Sequence, residues 1–171
     1  MRTWLLRARA LVHLLAGNAP AAATDAAESL AIDPAGGNAS SSLWVAVMAG
    51  SVLRDPAVIR AALDATSGLR GQWTRLVRST AHASLGALED QPGATAAMQS
   101  ALDAWSAADL PLDHAFATLC AQHVLPAELV PDADVQRARA CLEERRAEAL
   151  LHLYDAAATS NASDHPPLPT P

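Results

Sequence analysis

The sequence contains no lysine, so its 12 basic side chains are all arginines, and 18 acidic residues outnumber them. The formal net charge is −6. General binders of nucleic acid or of anionic membranes carry a basic face, and this charge balance argues against one. We therefore expect no direct contact with nucleic acid and no membrane binding.

Aromatic residues make up only 4% of the chain, and the β-branched residues that favour strands are sparse as well. Half of the chain is apolar, but this half consists mainly of alanine and leucine, which are strong helix formers. The composition predicts an all-α protein. Because alanine buries little surface, close approach between helices has to replace the interdigitation of bulky side chains.

Cysteine is also rare. Cys120 and Cys141 each lie within an apolar helical pattern, which is typical of free cysteines that behave as small hydrophobic residues. We expect no disulfide framework, and a reducing cytoplasm is the predicted location. No uncharged apolar run approaches the roughly 20 residues of a membrane span. Arg7, Arg9 and His13 interrupt the one N-terminal stretch that resembles a signal peptide.

Turn residues divide the chain into helical hairpins. Gly17 is a helix stop, Pro20 fits the first turn of the next helix, and Asp55 is an expected N-cap. Turns at Gly17, Asp55 and Asp90 recur every 35 to 38 residues, the period of a helical-hairpin repeat. We predict one domain over residues 1–158, with hairpins at about 3–33, 41–68, 70–109 and 111–157. The proline-rich tail, 159–171, is expected to be disordered.

The first hairpin resembles the tetratricopeptide repeat. The resemblance rests on a turn glycine, a small residue, a leucine and a closing Asp-Pro pair at the spacing of that family: Gly17, Ala22, Leu30 and Asp33-Pro34. The third hairpin repeats the mutual spacing with Asp90, Ala94, Ala101 and Leu102. Arg9 stands where the repeat usually has leucine, and the second and third hairpins lack the closing proline. The resemblance implies a superhelical array of antiparallel hairpins with seven to eight helices.

Residues 70–157 resemble the C-terminal arm of large bacterial regulators of the adenylate/guanylate-cyclase type or the LuxR-type ATPase group. The likeness lies in the run WSAADLPLDHAFATLCAQHVLP and in Ala138-Arg139. The Gly-Ala pair expected after them is replaced within 144–147, and without this glycine we predict one continuous last helix up to Tyr154. The resemblance implies a regulatory arm without its catalytic modules, since no GxxxxGK[ST] motif and no paired-Asp metal site occur.

If the chain is part of such an arm, the face of the first helix that carries Trp4 would normally be covered by a preceding hairpin. We therefore expect this face to be exposed and to favour self-association. Its apolar residues are Trp4, Leu5, Ala8, Leu11, Val12 and Leu15, which recur at the helical period.

Two groups of residues invite a chemical interpretation. His114, Cys120, His123 and Cys141 include a Cys-x-x-His pair on one helix face, but His114 lies on a different side of that helix and no second close pair exists. A nucleophilic cysteine with a His and an Asp is the other interpretation, yet both cysteines lie in the middle of predicted helices. We expect no catalytic residues, no metal and no cofactor, and no enzyme activity.

Arg75, Arg78 and His82 form the clearest polar patch, since they recur at i, i+3 and i+7 on the first helix of the third hairpin. In tetratricopeptide arrays that helix lines the concave groove, where arginine can hold a carboxylate. Trp44 and Met48 lie on the corresponding face of the preceding hairpin. These five residues are the predicted partner-binding groove; the alternative is a solvated face for the polar three and a core position for Trp44 and Met48.

The leading interpretation is a non-catalytic scaffold that binds a protein or peptide partner, as the regulatory arm of a signalling ATPase or cyclase or as a fragment of one. The alternative is a compact helical bundle that binds a small ligand or dimerises. The two architectures differ in one contact. A superhelix lets each hairpin touch only its neighbours, whereas a bundle packs the first hairpin against the last helix.

Overall fold

The computed structural model describes residues 2–164, and the side chains up to Ala156. This part of the chain contains nine α-helices and no strand, so the all-α prediction is confirmed with one helix more than the upper estimate. The helices are α1 (Arg2–Leu15), α2 (Ala19–Ile32), α3 (Ala39–Leu53), α4 (Pro56–Ala65), α5 (Gln72–Leu88), α6 (Ala94–Ala107), α7 (Pro111–Val124), α8 (Asp132–Glu144) and α9 (Glu148–Asp164), with a 3₁₀ turn at Ala127–Leu129.

Consecutive helices pack as pairs: α1 with α2, α3 with α4, α5 with α6 and α7 with α8. These pairs are the predicted hairpins, with two adjustments of their bounds. Helix α3 begins at Ala39, two residues before the earlier of the two serines expected to cap it. Helix α9 continues to Asp164, beyond the predicted start of the tail at residue 159. Residues 165–171 of that tail lie outside the described residues.

The turn inside each of the first three hairpins has the same backbone geometry. Gly17, Arg54 and Asp90 have φ angles of 75°, 53° and 52°, and they lie 37 and 36 residues apart. In each turn the next residue donates its N–H to the carbonyl five positions earlier, for example Asn18 to His13 at 2.8 Å. This is the Schellman cap that ends many helices. The predicted periodic turn is therefore present.

The prediction of one continuous last helix is wrong, because the chain turns between α8 and α9. Arg146 has a φ of 53°, and the N–H of Ala147 bonds to the carbonyl of Leu142 at 2.9 Å, which is the same cap. A left-handed backbone costs an arginine about 1–2 kcal/mol. Burial of Leu150 and Leu153 on α9 offsets this cost, since both are buried only after the turn redirects the chain onto α7.

Helix α3 lies at the centre of the fold. Every residue from Ser42 to Ser51 is buried, and the helix contacts α1, α2, α4, α5 and α7. The contact with α7 skips a hairpin, and α1 also touches α9. The array therefore folds back on itself, and the contact between the first hairpin and the last helix is the one expected of a bundle.

Four aromatic rings hold this fold-back in place. Trp44 on α3 stacks on Trp105 of α6 with ring centroids 5.7 Å apart, and it meets Phe116 of α7 edge-on at 6.3 Å. Trp73 of α5 meets Trp105 edge-on at 6.3 Å. Aromatic pairs of this kind add about 0.5–1.5 kcal/mol each beyond the area that they bury. The cluster joins the second, third and fourth hairpins.

The left-handed turns provide a test of the repeat geometry. Replacing Asp90 by glycine removes the side-chain clash of its positive φ and should raise the free energy of unfolding by up to ~1 kcal/mol. Urea denaturation monitored by circular dichroism measures this change. The matched control is Asp103→Gly in the middle of α6, which should lower stability by several tenths of a kcal/mol or more. Equal destabilisation by both variants would contradict the assigned turn.

Candidate functional site

The structure does not assemble the five residues of the predicted groove into one surface. Trp44 and Met48 are only 4% and 2% exposed, so their assignment to a partner-binding surface is corrected here. For Trp44 the physical reason is its edge-on contact with Phe116, because α7 packs on α3 where an open superhelix would leave a concave groove. Both residues are core residues.

The three polar residues of the predicted groove lie on α5, but their environments differ. Arg75 and His82 are exposed, whereas Arg78 is half-buried and its guanidinium donates to the carbonyls of Leu63 and Thr66, each at 3.3 Å. Arg78 thus satisfies carbonyls at the end of α4, where a helix needs partners. Partial burial, and then the charge of Arg78, lower the pKa of His82.

In the fourth hairpin Cys120, Cys141 and His114 are buried, and His123 is half-buried. Burial raises the pKa of the Cys120 thiol to about 12, so the thiol stays protonated and is a poor nucleophile or metal ligand. Burial also lowers the pKa of His123 to about 4, which keeps the ring neutral. Within residues 2–156, no three His, Cys, Asp or Glu side chains converge on a point where a metal ion would bind.

A buried polar pair between α7 and α8 was not anticipated from the sequence. His114 is 2% exposed, and its Nε2 lies 3.2 Å from an Oδ1 of Asp134, which Arg137 also approaches at 3.5 Å. Burial lowers the pKa of His114, while the nearby carboxylate acts in the opposite direction. His114 and Arg137 border a cavity of about 90 Å³. No sequence signal marks this pair, because only the packing of α7 on α8 brings the two residues together.

A second ion pair closes the first hairpin. Both carboxylate oxygens of Asp25 accept from the guanidinium of Arg9, at 2.6 Å and 2.7 Å, and the side chain of Asp25 is 7% exposed. Hydrogen bonds from Arg9 hold the pKa of Asp25 below its ordinary value. This arginine stands where the tetratricopeptide repeat usually has leucine, and its bidentate pair links α1 to α2 in place of an apolar contact.

The most apolar face of α1 points away from the molecule. Helix α1 packs inward through Leu6, Ala10 and Leu14. Large side chains on the opposite side are exposed: Trp4 at 52%, Leu5 at 54% and Val12 at 62%. We call the surface made by Trp4, Leu5, Ala8, Leu11, Val12 and Leu15 the α1 face. The expected exposure is therefore found for Trp4, Leu5 and Val12, whereas Ala8, Leu11 and Leu15 are half-buried, and Leu11 and Leu15 pack against the core.

The repeated turns identify the positions in the second and third hairpins that correspond to the α1 face. Alignment of the turns at Gly17, Arg54 and Asp90 places the α1 face on equivalent positions of α3 and α5. These positions are buried or half-buried: Ser41, Ser42, Val45, Met48, Ala49 and Val52 on α3, and Val77, Arg78, Ala81, Ser84, Leu85 and Leu88 on α5.

Contacts of these equivalent positions identify the covering element. Ser42 on α3 forms a hydrogen bond of 2.9 Å with Ser29 on α2, and Arg78 on α5 bonds to the end of α4, as described above. In both cases a second helix of the preceding hairpin contacts the face. Ser42 and Arg78 both correspond to Leu5 of the α1 face, so a second helix contacts this one position of the face in both later hairpins.

An apolar groove lies between the two second helices α2 and α4. Its cavity measures about 450 Å³, and eight of its eleven lining residues are alanines. We call it the alanine groove; it is lined by Ala23, Thr24, Ala27, Leu30, Ala31, Ala46, Ala57, Val58, Ala61, Ala62 and Ala65. Alanine side chains leave holes between helices that larger side chains can enter.

Comparisons with protein-family models, with curated proteins and with solved structures find no match to this chain. Within residues 2–164, the helices are too short or too polar to cross a membrane. The candidate site consequently rests on the geometry of the α1 face and the alanine groove.

The ion pair of the first hairpin should make stability depend on pH. Asp25 has a lowered pKa in the folded chain, so its contribution is complete above the unfolded value near 3.8 and is lost as the pH falls through the folded value. Wild type should therefore be more stable than Asp25→Asn by a constant amount between about pH 5 and 8, and this difference should shrink below about pH 4.

Chemical denaturation of both proteins across this pH range measures the difference. Asp64→Asn is the control, because Asp64 is exposed on α4, and its effect on stability should be small at every pH. A difference for Asp25→Asn that grows as the solution is acidified would have the opposite sign and would refute the assigned role of the pair.

Proposed function

We propose that this chain is a non-catalytic protein–protein interaction scaffold and that its partner binds the α1 face. One observation carries the proposal. Three large apolar side chains are more than half exposed on α1, whereas the equivalent positions of α3 and α5 are buried or half-buried. The chain offers a repeat interface with one side unoccupied.

The composition of the face indicates the chemistry of the partner. Trp4, Leu5 and Val12 bind through buried apolar area, and tryptophan is a frequent anchor of protein interfaces. Arg7 and Arg9 flank the face on either side of the helix. A helical surface with small apolar residues and an acidic rim complements this arrangement.

The wider biological role follows the resemblance of residues 70–157 to the arms of bacterial regulators. The turn at Arg146-Ala147 supports this part of the proposal, because it lies where those arms have a Gly-Ala break, and Arg146 adopts the backbone conformation that glycine favours. We propose that the chain acts as such a regulatory arm in the cytoplasm. Two free, buried cysteines agree with a reducing location.

The bundle alternative has two observations in its favour, which are the contact between α1 and α9 and the contact between α3 and α7 that skips a hairpin. In that case the alanine groove would bind a small apolar ligand. An apolar dye would then bind the protein with an affinity that Ala61→Arg abolishes and Val12→Arg leaves unchanged.

Site-specific photocrosslinking tests the leading proposal. The photoreactive residue p-benzoylphenylalanine replaces Val12 in the full chain, which is expressed at its natural level in its own cells. We expect a defined protein adduct from this position. The same substitution at Glu144, whose side chain is 78% exposed on α8, is the control and should give no such adduct.

The affinity of the identified partner decides whether the α1 face is the docking surface. Val12→Arg should raise the Kd at least ~10-fold, because it buries an unpaired charge at the interface, whereas Glu144→Arg should leave the Kd unchanged. Equal affinity of the partner for wild type and Val12→Arg would remove the α1 face as the docking surface. The mass of the adduct shows whether the partner is a different protein or a second copy of this chain.

A further inference from the structure

The last two helices are held on the molecule mainly by one neighbour, α7. Helix α8 packs on α7 and α9, and α9 packs on α7, on α8 and to a smaller extent on α1. We call these two helices the α8–α9 unit. Its contacts with α7 include a hydrogen bond from the hydroxyl of the buried Tyr154 to the carbonyl of Ala115. Groups on α7 that face this unit therefore influence whether it stays attached.

His114 faces α8 and is almost completely buried. It is 2% exposed, and neither ring nitrogen has an aligned hydrogen-bond partner among the described residues, although Nε2 lies 3.2 Å from Oδ1 of Asp134. Arg137 approaches the same carboxylate oxygen to 3.5 Å. Burial is the main cause that lowers the pKa of His114, and the carboxylates of Asp134 and of Asp103 on α6 only partly oppose it. A protonated ring is thus disfavoured while α8 covers it.

His123 lies near the other end of α7 and faces α9. Its Nε2 is buried and has no hydrogen-bond partner in the part of the chain that the structure describes. The backbone of Leu153 on α9 favours a protonated ring, but burial outweighs this effect and lowers the pKa of His123 to about 4. Arg54 donates to the backbone carbonyl of His123 at 2.6 Å and so places a further positive charge near the ring, which also lowers the pKa.

The two lowered pKa values make the attachment of the unit depend on pH. Once water reaches the rings, their pKa returns to the ordinary value of 6.5, so the attached state loses stability as the pH falls below 6.5. For His123 alone, a pKa of about 4 in the attached state raises the equilibrium constant for release roughly 30-fold between about pH 7.5 and about pH 5. His114 acts in the same direction.

We propose that acidification releases the α8–α9 unit from α7, with His114 and His123 as the two groups that take up protons. Each proton places a positive charge where α8 or α9 excludes water, and this charge is solvated only after the covering helix moves away. Release uncovers the side of α7 that Tyr154 contacts. The device needs no partner on the α1 face, so it holds or fails independently of the proposed function.

Hydrogen–deuterium exchange of the full chain, read by mass spectrometry, tests the release. Exchange is measured at about pH 7.5 and about pH 5, and each rate is divided by the intrinsic rate at that pH to give a protection factor. Protection of the amides in residues 132–156 should fall about 30-fold or more between the two conditions, whereas protection in α2 and α3 should change less than about threefold.

Two substitutions remove the proton acceptors. His114→Asn and His123→Gln replace each ring by an amide, which can still hydrogen-bond but takes up no proton in this pH range. In the double variant the protection factors at the two pH values should agree within about twofold, and each single variant should lie between it and wild type. The ratio between the two conditions is the readout, so a variant that is less stable at both pH values still gives an answer.

The control variants are His152→Gln, at an exposed position of α9, and His82→Gln on α5, and both should keep the wild-type ratio. Circular dichroism checks that every variant retains its helices at about pH 7.5.

Three results would overturn the inference. Unchanged protection of residues 132–156 in wild type would show that acid does not release the unit. An equal loss of protection in α2, α3 and the α8–α9 unit would indicate unfolding of the whole chain instead of local release. Release of the double variant to the same extent as wild type would assign the proton uptake to groups other than His114 and His123.

Discussion

The stacking of Trp44 on Trp105 is the contact on which the rest of this fold depends. Helices rich in alanine bury little area per residue, so a few large rings have to supply what many leucines supply elsewhere. Trp44 also meets Phe116, and its Nε1 donates to Asp113 at 3.0 Å, so one side chain joins α3 to both α6 and α7. Without this junction α3 would lose its aromatic contacts with α6 and α7 and would keep its packing against α1, α2, α4 and α5.

Small residues make this compactness feasible at the helix crossings. A Cβ on Gly50 would lie 2.6 Å from a side-chain carbon of Ile59, so α3 and α4 approach more closely than any larger residue permits. The polar groups carried into the interior by such a sequence find partners nearby: Ser51 donates to the carbonyl of Val47, and Trp105 donates to Thr80 at 2.9 Å. These hydroxyls therefore impose little cost, because each of them bonds to a neighbouring group. The buried hydroxyl of Ser84 is an exception, since it has no hydrogen-bond partner among the described residues.

The sequence was a good guide wherever structure is set by neighbouring residues. Asp55 accepts from the N–H of Ala57 as the cap that was expected, and Gly17 takes the left-handed backbone for which glycine is suited. The turn at Arg146 could not be predicted, because an arginine in the sequence does not indicate a positive φ. The packing of α9 on α7 imposes this φ. The contact between α3 and α7 could not be predicted for a related reason. A repeat period predicts contacts between consecutive hairpins and gives no information on contacts between hairpins that are two apart.

For the candidate site, too, features that follow from the local sequence could be predicted and features that depend on packing could not. The exposure of the α1 face could be predicted, because it follows from the position of α1 in a repeat. The alanine groove could not, since its walls come from α2 and α4 and no local pattern places them side by side. The buried residues Trp44 and Met48 were assigned to an open groove because an amphipathic stripe looks the same whether it faces a ligand or another helix.

The distribution of the four tryptophans has a spectroscopic consequence. Trp44 and Trp105 are buried in the stack and Trp73 is half-buried against it, whereas Trp4 stands alone on the α1 face, more than half exposed. Indole emission shifts to longer wavelength in water and to shorter wavelength in an apolar setting. The long-wavelength edge of the intrinsic fluorescence therefore comes from Trp4. Without any label, its emission maximum reports whether the α1 face is exposed to water or covered.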